Sequence, residues 1–327
     1  MAALRVLIQL TVLLAAAFAD SASAHALAPA ASDVPASFGW TFEPWVVVCL
    51  ALSLGLYLAG YAKLRVRGSR GRSDRSMRLL SFVIGWIALV IALVSPLHTL
   101  SEALFSAHML QHEVFMLVAA PLLVIGRPLA VWIWAFSPRA RLRISTATRS
   151  AWIRSPWRWL TAPAVAWGLH AAALWCWHAP RFFEAALHSE WIHTLQHTSF
   201  LGSALLFWWT VFRPAASDGS RAHNAHAMLA LFTTMVHTSA LGALLTLAPE
   251  VWYPSCIEST LALGFDPLQD QQLGGLVMWV PGGLAYLVGG LLIGARWLSR
   301  RPARELTPVI STARAASAVN APAHEES

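Results

Sequence analysis

A chain of 327 residues that is 57% hydrophobic and only 12% charged, with a mean hydropathy of +0.56, is too apolar to fold as an ordinary soluble domain. Its net charge of +7 would speak for nucleic acid only if the basic residues shared one surface, and they instead fall in alternate loops between long apolar runs. Composition and charge placement therefore exclude a nucleic-acid-binding domain and put the chain in a bilayer.

At the N-terminus, Arg5, the apolar stretch Val6 to Ala19 and the small-residue pattern Ala22-Ser23-Ala24 read as a cleavable secretory signal over residues 1–24. A cut after Ala19 or an uncleaved extra span are the alternatives. Cleavage after Ala24 exposes the amine and imidazole of His25, a potential Cu(II) chelate, and leaves residues 25–43 as a short segment ahead of the membrane.

A hydrocarbon core of about 30 Å takes roughly 20 apolar residues in a helix, and seven such runs follow, near 44–62, 79–98, 104–125, 159–178, 191–212, 226–248 and 273–298. The expected fold is an all-α polytopic bundle of about seven transmembrane helices over residues 44–298, with a flexible tail at 299–327. Lys63, Arg65, Arg67, Arg70, Arg72, Arg75 and Arg78 lie between the first two runs, and Arg127, Arg139, Arg141, Arg143, Arg149, Arg154 and Arg158 between the third and fourth. Arg213, Arg221, Arg296, Arg300, Arg301 and Arg304 follow the fifth and seventh, whereas the alternate loops hold Arg181 with several acids. The positive-inside pattern gives an N-terminus outside and a C-terminus in the cytoplasm, with the basic surface meeting anionic lipid. Within 127–158, the apolar run Leu129 to Phe136 reads as interfacial, with Trp132 and Trp134 at headgroup level.

Cys49, Cys176 and Cys256 are too few for a disulfide framework. One bridge with a spare thiol stands level with a metal role for them, and Cys49 alone in an apolar helix reads as a small buried hydrophobe.

The topology turns the histidines into a map. His98, His108, His112, His178, His188, His193 and His197 all fall near the outer surface, His170 and His237 nearer mid-membrane. Two of the runs carry the same His-x-Leu-Gln-His spelling, at His108/Gln111/His112 and at His193/Gln196/His197. Residues four apart on a helix share a face, about 5–6 Å between Cβ atoms, so each pair of imidazoles can converge on one ion. The alternative for each histidine is a hydrogen-bonded polar seam between helices. The hairpin of the second and third runs, with His98 and then His108/His112, has a counterpart in the fourth and fifth, with His178 and then His193/His197, which suggests a duplication. The candidate metal set is His108, His112, His193, His197, His98, His178 and Met109, with Gln111, Gln196, Glu113 and Asp270 as candidates to hydrogen-bond and orient those ligands. Imidazole accepts zinc, copper or iron, and thioether at Met109 tilts the choice toward copper, zinc being the alternative. Glu113 follows His112 but points about 100° around the helix. Asp270 opens the Asp-Gln-Gln run before Gly274-Gly275, which also reads as a helix N-cap with close glycine packing.

No His-Glu-x-x-His element, nucleophile elbow or phosphate-binding glycine loop is present. Three function classes remain: a non-catalytic copper carrier, a zinc hydrolase using Glu113, Glu102 or Asp270 beside the metal, and a haem protein, for which an i, i+4 pair is wasteful.

The run SPLHTLSEALFSAHMLQHEVFMLVAAPLLVIGRPL, the later HTLQH and the DQQLGGLVMW stretch together resemble the multi-spanning cytochrome c oxidase assembly factors of the CtaG type, as distinct from the single-span copper chaperone. The resemblance covers roughly residues 40 to 300, and Ser-x-His-Met-x-Gln-His at Ser106 to His112 is its most specific part. It implies a helper of the bacterial inner membrane that matures a haem-copper oxidase by handling copper, with oxidase subunits or their copper donors as partners. A copper-resistance or import protein shares the same features.

Overall fold

The computed structural model describes residues 39–66, 72–212 and 220–299; the signal segment, His25 and the tail after Ser299 lie outside the described residues. Every regular element among those described is helical. Helices α1 (Pro44–Val66) and α2 (Arg72–Val94) form the first pair, followed by the short α3 (Pro96–Ala103). Next, α4 (Phe105–Glu113) continues through a π-helical turn, Val114–Ala119, into α5 (Ala120–Gly126). The connection that follows holds α6 (Pro128–Trp132), α7 (Pro138–Arg149) and α8 (Ala151–Leu160), and leads to α9 (Pro163–His178), α10 (Pro180–His188) and α11 (Glu190–Phe212). The last part comprises α12 (Ser220–Thr246), the short α13 (Ile257–Ala262), α14 (Pro267–Val277), a second π-helical turn at Met278–Gly282, and α15 (Gly283–Ser299).

Among the described residues, five segments are long and apolar enough to cross a membrane: Pro44–Val66, Ser73–Val94, Phe105–Ala135, Asn224–Thr246 and Pro267–Ser299. The architecture is that of a multi-pass membrane bundle. The runs expected as the two other spans form the helices α9 and α11, which fall short of that measure: α9 has only 16 residues, and Glu190, His193, Gln196 and His197 in the opening turns of α11 dilute its apolar character.

The expected span 79–98 ends early, at Val94. Ser95 takes an extended conformation and its hydroxyl accepts from the Leu97 amide, while Pro96 sits at the first helical position of α3. That combination starts a new helix rather than prolonging the old one. His98 therefore rides on its own short helix.

Lipid supplies no hydrophobic drive between helices, so close backbone approach and interhelical hydrogen bonds hold them together. Gly275 on α14 shows the first: a Cβ there would lie 2.6 Å from the Thr246 amide nitrogen and 2.7 Å from the Gly242 carbonyl oxygen of α12. Trp208 of α11 shows the second, its indole donating to the Met116 carbonyl at 2.7 Å. This latter bond engages the first π-helical turn, where the widened ladder lets a carbonyl face a neighbour.

The two ends of the bundle differ in chemistry. At one end, Lys63 donates to the Ala135 carbonyl at 2.5 Å and Arg75 to the Leu64 carbonyl at 2.8 Å. Here the run expected at the interface is clamped on α1, with the Trp132 indole donating to the Ser53 carbonyl at 3.0 Å. Trp134 stacks under Arg141, 4.2 Å from guanidinium to ring centre. At the other end, the start of α1 meets the end of α2 through the Thr41 amide and Val94 carbonyl, and the histidines gather. The three cysteines are free. Cys49 is exposed rather than buried, lying off the Val46, Leu50 and Tyr57 stripe that α1 turns inward.

Candidate metal centre

Two helices starting from the same end bring the repeated motifs face to face. The His108 and His112 ring centres are 4.3 Å apart on α4, and those of His193 and His197 are 4.2 Å apart on α11. Across the interface, His108 lies 5.8 Å from His193 and 6.1 Å from His197, and His112 lies 5.4 Å from His197. One ring nitrogen from each of His108, His193 and His197 lies within 4.8 Å of the others. Metal–imidazole bonds are typically 2.0–2.1 Å, so the three nitrogens would draw closer together around one ion. His193 is part-buried rather than buried.

Protonation is readable from the partners. The His108 Nδ1 atom lies 3.2 Å from the Ser101 carbonyl oxygen; a carbonyl only accepts, so Nδ1 carries the proton and Nε2 presents its lone pair. That Nε2 is buried with no hydrogen-bond partner, as are His197 Nε2 and both ring nitrogens of His112. A buried unpaired polar atom costs about 1–3 kcal/mol, and several at one point call for a ligand. Aromatic rings close the walls: Phe183 is 5.2 Å from His108, Phe200 is 4.4 Å from His112, and Phe115 is 5.1 Å from His197.

The remaining expected residues take other places. His98 has both ring nitrogens engaged, accepting from the Gln111 amide at 3.1 Å and facing Glu43 and Glu102 at 3.5 and 3.8 Å. Its ring still stacks 6.1 Å from His193. Gln111 also donates to the Ala92 carbonyl at 2.6 Å, so it ties α4 to the end of α2. Gln196 is buried between the two motif histidines of α11 with its amide unpaired. His178 points to Met109, outside the imidazole trio, with its Nε2 3.2 Å from the sulfur. Glu113 faces Gly282 in the second π-helical turn, where a Cβ would come within 3.0 Å of its carboxylate, so it is aimed away from the rings. Asp270 accepts from the Phe105 amide at 2.7 Å, the Ser106 amide at 3.3 Å and the Ser106 hydroxyl. It caps the N-terminus of α4, while Asp266 caps Asp270's own helix by accepting from the Gln269 amide.

Of the hydrolase carboxylates, Asp270 is thus engaged by the start of α4, Glu113 faces Gly282 with one carboxylate oxygen buried and unpaired, and Glu102 faces His98. His188, exposed on α10, meets Ser255 beside Glu184 rather than the cluster. Cys256 also stands apart: burial, then the charges of Glu184 and Asp270, pushes its thiol up to about 12, so it offers no ready thiolate.

Glu43 is the contributor that sequence reading missed. Its only signal was an acid directly before Pro44, which starts α1. The hydrogen bond from His98 holds the Glu43 carboxyl below its ordinary value against the opposing effect of burial. For His98, burial works against the charged ring, but the Glu43 hydrogen bond and the charges of Glu102 and Glu43 outweigh it, and its pKa is raised. A raised histidine pKa contributes stability that is complete below the unfolded value and lost as pH rises through the folded one; the depressed carboxyl contributes above its unfolded value. Glu43→Gln should therefore lower the melting temperature of the metal-free protein more near pH 6 than at about pH 9, measured by differential scanning fluorimetry in detergent. Equal losses at both would show that the contact carries no charge.

The chain is 25% identical over 276 residues to an uncharacterized protein of Mycobacterium leprae, an alignment covering 79% of this chain and 39% of that one. It is 26% identical over 255 residues to uncharacterized proteins of Mycobacterium bovis and Mycobacterium tuberculosis, covering 73% of this chain and 36% of each. The chain thus spans less than two-fifths of the length of these curated relatives. No solved structure matches it. The family model described as cytochrome c oxidase caa3 assembly factor matches residues 55–300, which include both histidine motifs and the Asp270 cap, and the chain belongs to that family.

Proposed function

We propose that this protein assists the assembly of a haem-copper oxidase by holding copper, as cargo, on the imidazoles of His108, His112, His193 and His197 and releasing it to an oxidase subunit or its copper donor. The observation that carries this reading is the convergence of buried, unpaired imidazole nitrogens from two helices at one end of the bundle. Neutral imidazole suits copper and zinc alike, and the family description supplies the oxidase. A carrier needs a site from which the ion can leave, and the partial exposure of His193 supports transfer from that end. The arginine-rich opposite end supports a cytoplasmic C-terminus and a cluster on the outer face of a bacterial inner membrane. No catalytic step is part of this reading.

The test is metal content by mass spectrometry of the detergent-purified protein, loaded separately with Cu(I) under reducing conditions and with Zn(II), beside His108→Ala/His112→Ala. Copper retained near one equivalent or more and lost in a folded variant is the expected result. Zinc held in preference would move the hydrolase reading forward, and no histidine-dependent metal would return the motifs to a polar seam.

A further inference from the structure

We infer that Met109 and His178 form a second, soft-cation site beside the imidazole cluster, one that takes Cu(I) and leaves Zn(II) to the histidines. The inference rests on the copper reading above and divides its ligands into two stations. The decisive geometry is at His178. Its Nδ1 lies 2.6 Å from the Leu174 carbonyl oxygen of its own helix, so Nδ1 carries the proton and donates. Nε2 then presents a lone pair, and the group it faces, at 3.2 Å, is the Met109 sulfur. A thioether sulfur has no proton to give. Two acceptors therefore face each other with nothing between them, and both side chains are buried, His178 to 3% and Met109 to 1% exposure.

Only a proton or a metal cation resolves such a pair. An imidazolium would donate to sulfur, but it would be a buried charge whose other hydrogen bond goes to a neutral carbonyl, a costly arrangement. A cation shared by nitrogen and sulfur satisfies both lone pairs at once. Thioether combined with imidazole selects a soft ion such as Cu(I) over Zn(II), and an unbranched methionine side chain has the torsional freedom to draw back and admit it.

The surroundings keep both ligands in place. The Tyr253 hydroxyl donates to the His178 carbonyl at 2.8 Å, fixing the end of α9. On the other side, Gly274 leaves room where a Cβ would come within 3.2 Å of the Met109 Cγ atom. His108 and Met109 are consecutive on α4, about 100° apart, so a single turn presents imidazole to the cluster and thioether to His178. That adjacency gives a bound ion a short path from one station to the other.

X-ray absorption spectroscopy at the copper edge tests this on the full-length, detergent-purified protein loaded with Cu(I), comparing wild type, Met109→Leu and His108→Ala/His112→Ala. Leucine conserves volume, so the first variant is expected to fold, and its gel-filtration profile checks this. The expected result is a sulfur scatterer in wild type and in the histidine variant, absent in Met109→Leu, with Zn(II) stoichiometry unchanged by Met109→Leu. Copper bound only through nitrogen in wild type, or a sulfur contribution that survives Met109→Leu, would overturn the second site while leaving the copper reading intact. Absence of any protein-bound Cu(I) would overturn both.

Discussion

Cells carrying His108→Ala/His112→Ala are expected to lose the activity of the partner oxidase while keeping the variant in their membranes. Both halves of that expectation follow from how few bonds these rings make. His112 has no hydrogen-bond partner at either nitrogen, and His108 has one, to the Ser101 carbonyl, with its Nε2 unpaired. Alanine therefore strands a single carbonyl and removes three buried unpaired nitrogens, each of which costs the fold about 1–3 kcal/mol. The cavity left between Phe183 and Phe200 offsets part of that gain. Helix α4 itself tolerates alanine, the best helix former. A histidine pair kept for structure would behave in the opposite way, because its loss would leave partners unsatisfied. Oxidase activity should fall at least tenfold, the lower end of what disturbing even an outer partner of a metal ligand costs in affinity. Oxidase activity and copper content of isolated membranes, beside immunoblots of the variant, make the measurement. Normal oxidase activity would remove the carrier reading, and disappearance of the variant protein would support the seam.

Much of this was legible because membrane constraints are severe. Long apolar runs had to become helices, and a motif spelled twice at equal depth had to place four imidazoles at one end. The His108/His112 and His193/His197 pairs were therefore visible in the sequence, and their adjacency only in the structure. What escaped depended on side-chain direction and on helix ends. Ser95-Pro96 carries a cap and a first-turn proline, yet inside an apolar run it was absorbed into the preceding span, and with it His98 was placed on the wrong helix. Glu43 had no periodic pattern to mark it, because its partner lies 55 residues away across a contact. The π-helical turn at Val114–Ala119 is a local widening of the ladder that has no spelling in residue types, and it is what lets Trp208 reach the Met116 carbonyl. Asp270 reads in the sequence either as a partner of a metal ligand or as the cap of its own helix; which helix a capping side chain serves is decided by packing between elements far apart in the chain.

That last distinction yields the sharpest contrast available in this molecule. Asp266 and Asp270 stand one turn apart in the sequence, and both cap a helix, but Asp266 accepts from the Gln269 amide of α14 and Asp270 from the Phe105 and Ser106 amides of α4. Removing a carboxylate cap costs about 0.5–2 kcal/mol, so the two alanine variants should lose comparable stability. Their effects on metal should differ. Phe105 packs 5.4 Å from Phe183 and 4.8 Å from Tyr253, and His108 follows it by one turn. Freeing the start of α4 lets the ring that supplies one of the three converging nitrogens shift, while α14 carries none of them. Asp270→Ala should therefore weaken metal binding by about 10- to 100-fold, the range for residues that orient a metal's ligands, whereas Asp266→Ala should leave it within about twofold of wild type. Competition titrations with a chromophoric chelator, using Zn(II) so that the Met109–His178 pair does not contribute, would read both values on folded protein. Equal affinities in the two variants would mean that the imidazoles are positioned without help from the end of their helix, by the packing of α11 alone.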